Sequence, residues 1–349
     1  MIGGREMKAL RWYGRKDIRY EDVPEPSPAA GQLKIKVSLA GICGTDLKEY
    51  TDGPVMIDPG KVPIIIGHEF VGTIAGLGEG VTGFNVGDRV TAVGYRYCGK
   101  CYFCKRGLYN ICENAGFTGL TTDGCMAEYA VIPDYAAYKL PDSVPDEPGA
   151  LVEPLAVAFH AVRQGNIHTG DTVAIVGAGT IGLCVLLAAR AAGATGIYVV
   201  HRTKSREELA LSMGATAFIT PDNGSPAEQV ARLTGGLGVD ASFECVGRPD
   251  TPQIALDLTR AGGTTVILGI FEEPCTIHFQ NVTFKQKSIV GSSIYVHEAD
   301  TVITLLKEKK LDPARLITAR VPLKDAVTEG FEKLITNKKD DIKVLLQIP

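Results

Sequence analysis

The sequence contains no apolar run of the roughly 18 residues that span a bilayer, no block of like charge and no low-complexity tract. The first absence excludes a transmembrane helix on length. The second, with a net charge of −4, argues against a nucleic-acid or anionic-membrane surface. The opening residues, MIGGREMKAL, lack the apolar core of a signal peptide, so a cytoplasmic location is expected. Met7 can serve as a start, which would make the first six residues a leader. Nine cysteines, an odd number without a secretion signal, make a poor disulfide framework. What remains is ordinary for a soluble globular protein, 45% hydrophobic and 22% charged. A length of 349 residues exceeds what one core usually serves, so two domains are expected.

Two textures divide the chain. Up to about residue 150, short alternating stretches such as Lys34-Ile35-Lys36-Val37-Ser38-Leu39, punctuated by glycine and proline, predict a β-rich domain. From Asp171, apolar strands at 172–176, 197–200, 216–219, 239–244, 264–268 and 288–291 alternate with helical patterns. That alternation predicts a parallel doubly wound sheet. Ser205 and Ser225, each followed three residues later by Glu, read as capping-box helix starts. After Tyr295 a helix, a strand, a helix and the terminal strand 342–346 follow. Six strands already complete the sheet, so this tail is expected to rejoin the first domain. The expected domains are 1–155, 156–292 and a return segment 293–349.

Cys98-x2-Cys101-x2-Cys104-x7-Cys112 is the most specific local signal. Four thiolates on one loop suit tetrahedral zinc in a closed structural site. A ferredoxin cluster begins with the same spacing, but its fourth cysteine follows after three residues and precedes proline. Gly177-Ala178-Gly179-Thr180-Ile181-Gly182 lies between a predicted strand and a buried helix. Strand, glycine turn and helix in that order form the context of a dinucleotide site. Cys43, His68, Glu69 and Glu153 can each ligate a metal, but spacing alone does not bring them together.

GICGTD around Cys43, GHEFVGTI around His68, VGDRV at 86–90, the four-cysteine loop, DGCMAEY at 123–129, VEPLAVAFHAV at 152–162 and GAGTIG at 177–182 occur in that order. In this the chain resembles the zinc-containing medium-chain dehydrogenase/reductase family over essentially its whole length. It looks most like the branch of the 2,3-butanediol, sorbitol and threonine dehydrogenases. The resemblance implies a Rossmann sheet beside a GroES-like catalytic domain. It implies a catalytic zinc held by Cys43, His68 and Glu153, with Glu69 beside it as an alternative ligand. Two zincs per chain follow, one catalytic and one structural. Thr45 matches the family's proton-relay hydroxyl; the alternative is a turn residue that caps the following segment. His160 reads as structural. Lys48 stands where the branch has histidine, and the segment between Tyr50 and Gly67 is short, which leaves the substrate open. A homodimer or homotetramer is implied.

The second strand of the predicted sheet ends at Val200, where an NAD site usually carries Asp or Glu for the ribose 2′-OH. His201 stands there instead, followed by Arg202, Lys204 and Arg206. Arginine and lysine pair with a 2′-phosphate that a carboxylate would repel. NADP(H) is therefore expected over NAD(H). Val246, Gly269 and Ser292 sit where later strands end and are expected to line the same site. The expected activity is hydride transfer between NADP(H) and a small secondary alcohol, diol or polyol or its ketone. The alternatives are reduction of a larger specialised carbonyl compound and, less in keeping with these residues, non-catalytic dinucleotide binding.

Overall fold

The structure is a computed structural model that describes residues 5–349. Residues 1–4 of the expected leader lie outside the described residues. The chain divides into two compact units. One runs to Glu153 and resumes at Ala299 to the C-terminus; the other is Pro154–Glu298.

The first unit is built on the strand Gln32–Gly41. Its alternation is realised: Leu33, Ile35 and Val37 are buried while Lys36 is exposed, because successive side chains of a strand point to opposite faces. Antiparallel pairing joins it to Glu69–Leu77, Tyr129–Pro133 and the C-terminal strand Lys343–Gln347. The chain's last strand thus lies beside one of its first. A seven-stranded sheet results, with a three-stranded sheet of Asp17–Pro24, Glu6–Gly14 and Ile64–Ile65. A two-stranded ribbon, Tyr95–Arg96 with Gly116–Phe117, leads into and out of the cysteine loop.

The second unit is a six-stranded sheet with every neighbouring pair parallel. Numbered along the chain, its strands lie in the order 3-2-1-4-5-6, the doubly wound Rossmann order. Such strands are covered on both faces and therefore read as continuous apolar runs. Val173, Ala174 and Ile175 are fully buried. The helix Thr180–Ala191 buries Gly182 through Ala189 without a break. Burying each of its Leu and Val side chains contributes about 1.5–3 kcal/mol.

The helix starts need a correction. Ser205 lies in a 3-10 turn, Lys204–Arg206, and the helix begins at Glu207 with no side-chain cap. The Ser205 hydroxyl lies 3.0 Å from that of Thr203 instead. Ser225 does precede the helix Pro226–Leu233, but its hydroxyl makes no cap. Proline at the first helical position removes one N–H that would otherwise need a partner.

Candidate metal centres and dinucleotide site

Gly41 ends the central strand directly opposite Glu69. A side chain at 41 would overlap the Glu69 carboxylate, so glycine is what admits that group. Two residues on, Cys43 is the N-cap of the helix Gly44–Asp52. Gly67, at φ +95° with Met126 packed against it, turns the chain so that His68 enters the interior. Ligand atoms of Cys43, His68 and Glu69 all lie within 4.8 Å of one another.

Asp46 links two of these residues. Its Oδ2 accepts the Cys43 N–H at 2.9 Å, and its Oδ1 lies 3.9 Å from His68 Nδ1. Both of the facing atoms are buried and lack a hydrogen bond. Metal-ligating histidines commonly present their other ring nitrogen to such a carboxylate. Burial works against a charge on His68. The Cys43 thiolate, then Asp46 and Glu153, outweigh it and raise the imidazole to about 10. Burial also pushes the Asp46 carboxyl up, against the opposing pull of His68. Such a buried, acid-rich pocket demands a cation, and a sulfur, nitrogen and carboxylate donor set suits zinc.

Glu153 is buried, 5% exposed, in the first turn of Val152–Gln164. It acts electrostatically on His68 but lies outside the tight group. Glu69, inside the group, is already engaged. Lys343, 1% exposed, contacts both of its oxygens at 2.8 and 2.6 Å and donates to the Ile42 carbonyl at 2.9 Å. The Thr45 hydroxyl sits 3.7 Å from the Cys43 sulfur. Lys48 pairs with Asp52 at 3.1 Å along the helix. His160 lies 3.1 Å from the buried Glu298 and is packed among side-chain partners.

Sequence reasoning missed Asp46 and Lys343. Asp46 had a signal, since it stands at the N3 position of a capping box whose N-cap is the cysteine. Lys343 had none, because a lysine at the start of a strand, Lys343–Gln347, reads as a solvent-facing end residue.

In the four-cysteine loop all sulfurs come within 4.8 Å of one another, with Cys101 and Cys112 3.9 Å apart. Tetrahedral zinc with bonds of about 2.3 Å places its sulfurs about 3.8 Å apart, so the loop fits the ion. Backbone N–H groups already point at the sulfurs, from Cys98 and Asn114 to Cys112 and from Cys104 to Cys101. The N–H groups of Lys100 and Cys101 lower the Cys98 thiol to about 6. Burial pushes Cys104 up to about 12, a cost that a bound cation would remove.

In the second unit the three glycines are distinguishable. Gly177 holds φ +107°, and a side chain there would strike Val246. One at Gly182 would overlap the Gly177 carbonyl oxygen. Gly179, the N-cap of the helix carrying Thr180 and Ile181, faces open space. A turn, a close packing point and an open backbone cradle at a helix N-terminus are what a pyrophosphate needs.

His201 Nδ1 accepts the Ala178 N–H at 3.4 Å. Burial, with Arg206 and Arg202 close by, depresses its pKa. Arg202 and Lys204 are exposed, whereas Arg206 is buried. Glu244, also missed, organises the neighbouring turn. Its Oε1 accepts from the N–H groups of Val246 and Gly247 and the Thr251 hydroxyl at 2.7–2.9 Å. Gly269 packs against the Glu244 side chain, and the Ser292 hydroxyl is buried without a hydrogen bond. Gly177, His201, Val246, Gly269 and Ser292 follow C-terminal ends of parallel strands, where ligands bind in open α/β sheets.

Comparison with known proteins agrees with both units. Residues 29–142 match the alcohol dehydrogenase GroES-like domain and residues 180–308 the zinc-binding dehydrogenase domain. (R,R)-butanediol dehydrogenase from Bacillus subtilis is 38% identical over 98% of this chain and 99% of its own. Sorbitol dehydrogenase from Halalkalibacterium halodurans is 37% identical over 89% and 92%. A crystal structure from Sinorhizobium meliloti 1021, described as a zinc-binding dehydrogenase bound to NADP, matches with TM-score 0.88. It is 32% identical over 98% of this chain and 99% of that one.

Proposed function

This chain belongs to the zinc-containing medium-chain dehydrogenase/reductase family, and on that premise we propose an NADP(H)-dependent oxidoreductase of small secondary alcohols, diols or polyols and their ketones. That it is a zinc-dependent oxidoreductase of the alcohol dehydrogenase type rests on its kinship with the butanediol and sorbitol enzymes. The finer reading rests on this chain's own residues. The observation that carries it is the buried group of Cys43, His68 and Glu69, with Glu153 acting on His68 from outside it.

In this reading Cys43, His68 and Glu153 hold the catalytic zinc, and Cys98, Cys101, Cys104 and Cys112 hold the structural one. Lys343 neutralises Glu69 and keeps it in reserve beside the centre. Zinc held there would supply Lewis acidity to the substrate oxygen, and a dinucleotide held on the glycine turn would supply the hydride chemistry. In oxidation the alcohol loses a hydride from carbon and a proton from oxygen, giving ketone and NADPH. Thr45, within reach of Cys43, receives that proton and passes it outward. Lys48, tied to Asp52, stands at the far end of that path in place of the branch's histidine.

The NADP(H) preference rests on His201 and the exposed Arg202 and Lys204, with no acid where the second strand ends. The NADP-bound relative makes such a preference reasonable here. Measuring kcat/KM with both cofactors on a panel of alcohols, diols and ketones tests the reading. Preference for NAD, or an Arg202→Ala variant that binds NADP as well as the parent, would refute it. Elemental analysis should give two zincs per chain; one would leave only the structural role.

We also infer a homo-oligomer, dimer or tetramer. Phe279, Phe284 and Ile289 are exposed, 67%, 80% and 37%, at or near the sheet's edge strand Ser288–Gly291, and such edges call for cover. Sedimentation at a single species of monomer mass would overturn this. No helix is long and apolar enough to cross a membrane among the described residues. All nine cysteines are free, which suits a reducing compartment such as the cytoplasm.

A further inference from the structure

A cavity of about 410 Å³ opens in the first unit, and none of its lining residues belongs to the metal or dinucleotide sites. Met7, Val23, Ile65 and Tyr129 give it an apolar floor. Against this floor the chain places a guanidinium with no counter-charge. Arg96 donates from Nη2 to the Val131 carbonyl at 3.2 Å, while its Nε is buried with no acceptor. It makes no ion pair among the described residues. Burial lowers its pKa, and only the Tyr135 phenol opposes this.

The Thr122 hydroxyl, in the lining of the same cavity, is likewise buried and unpartnered. Arg11 adds a second positive charge, paired with Glu21 at 3.1 Å. The one carboxylate of the lining, Asp123, accepts the Ile65 N–H at 3.0 Å. Buried donors without acceptors are rare and costly, and the Arg96 guanidinium is half-buried with one such donor. Two of them on one cavity mark a place that lacks an acceptor.

We propose that this cavity binds a small organic monocarboxylate. Its carboxylate meets Arg96 and the Thr122 hydroxyl, and its apolar body lies on Met7, Val23, Ile65 and Tyr129. The planar guanidinium matches the two oxygens of a carboxylate. A phosphate would leave further charged oxygens against the apolar floor, where they would go unpaired. The volume suits a ligand at the small end of the usual range, about 300–1,000 Å³.

Calorimetric titration of the zinc-loaded protein with benzoate and hexanoate tests this, with benzamide and inorganic phosphate as controls. The expected result is saturable carboxylate binding that benzamide and phosphate do not reproduce. Arg96→Met should weaken it at least about tenfold, and Cys43→Ser, which damages the metal centre, should leave it unchanged. Thr122→Val, nearly isosteric, should weaken it a few-fold and gives the same reading if Arg96→Met fails to fold. Absence of saturable binding, equal binding by both cavity variants, loss of binding in Cys43→Ser, or phosphate binding as tight as benzoate would each overturn the proposal. Failure in Cys43→Ser alone would place the carboxylate on the catalytic metal, leaving the proposed activity untouched.

Discussion

Removing the Lys343 ammonium should destabilise the first unit more than almost any other single change. In the folded chain Glu69 is 1% exposed, and Lys343 contacts both of its oxygens. Lys343→Met keeps length and apolar volume but leaves a buried carboxylate without its cation and the Ile42 carbonyl without that donor. Removing one partner of a buried pair costs about 3–5 kcal/mol, a large share of the roughly 5–15 kcal/mol that holds a typical domain. The double variant Lys343→Met/Glu69→Gln removes both charges and should recover most of the loss, since apolar or neutral replacements of buried pairs are commonly tolerated. Trp12, the only tryptophan, is a suitable probe: it is buried in this unit and its indole donates to the Glu49 carbonyl at 3.1 Å. Urea denaturation followed by its fluorescence should show a lowered midpoint for the single variant and a near-parental one for the double. The cost should be larger after chelation, because a bound zinc would share the charge of Glu69. A single-variant loss below about 1 kcal/mol, within the range of exposed pairs, would refute the argument. So would a double variant no more stable than the single.

Asp46→Asn should lower affinity for the catalytic zinc by about 10- to 100-fold while the four-cysteine loop stays loaded, as competition with a chelating dye would report. Gly179→Ala should fold with an unchanged Tm and a raised KM for the dinucleotide, because its methyl meets only open space; equal KM would show that nothing approaches there. Gly182→Ala should fail to fold or lose several degrees of Tm, because its methyl overlaps the Gly177 carbonyl oxygen. Burial alone would raise the Glu298 carboxyl, but His160 and the Val296 N–H outweigh it and hold the group down at about 2, against an ordinary 4.5. A depressed carboxyl pKa stabilises fully above the unfolded value, and that contribution is lost as pH falls from about 4.5 toward 2. Glu298→Gln should therefore flatten the stability profile in that window, and an unchanged slope in acid titration would contradict the assignment.

Local chemistry made much of this protein readable in one dimension. The four cysteines lie within fifteen residues, so one loop can close around an ion without help from the rest of the fold. The glycine turn is likewise local: Gly182 answers the Gly177 carbonyl oxygen and Gly177 the strand end beside it, while Gly179 keeps the helix N-terminus open. Regular alternation of strand and helix announced the parallel sheet, because strands covered on both faces must be apolar throughout.

Tertiary structure alone decided what depends on long-range meetings. Cys43 and His68 are brought together by register between the strands ending at Gly41 and starting at Glu69. The cation of Glu69 arrives from residue 343, some 270 positions away, at the start of an otherwise apolar strand. Arg206 stands in a basic stretch yet is buried, since helical geometry and not charge sets which side chains turn inward. Arg96 and Thr122 carry no motif, and only the closing of the first unit leaves them on one cavity with unmet hydrogen bonds. Composition and spacing govern contacts between near neighbours in the chain; the burial of a charge depends on every element that packs over it, and that is settled only on folding.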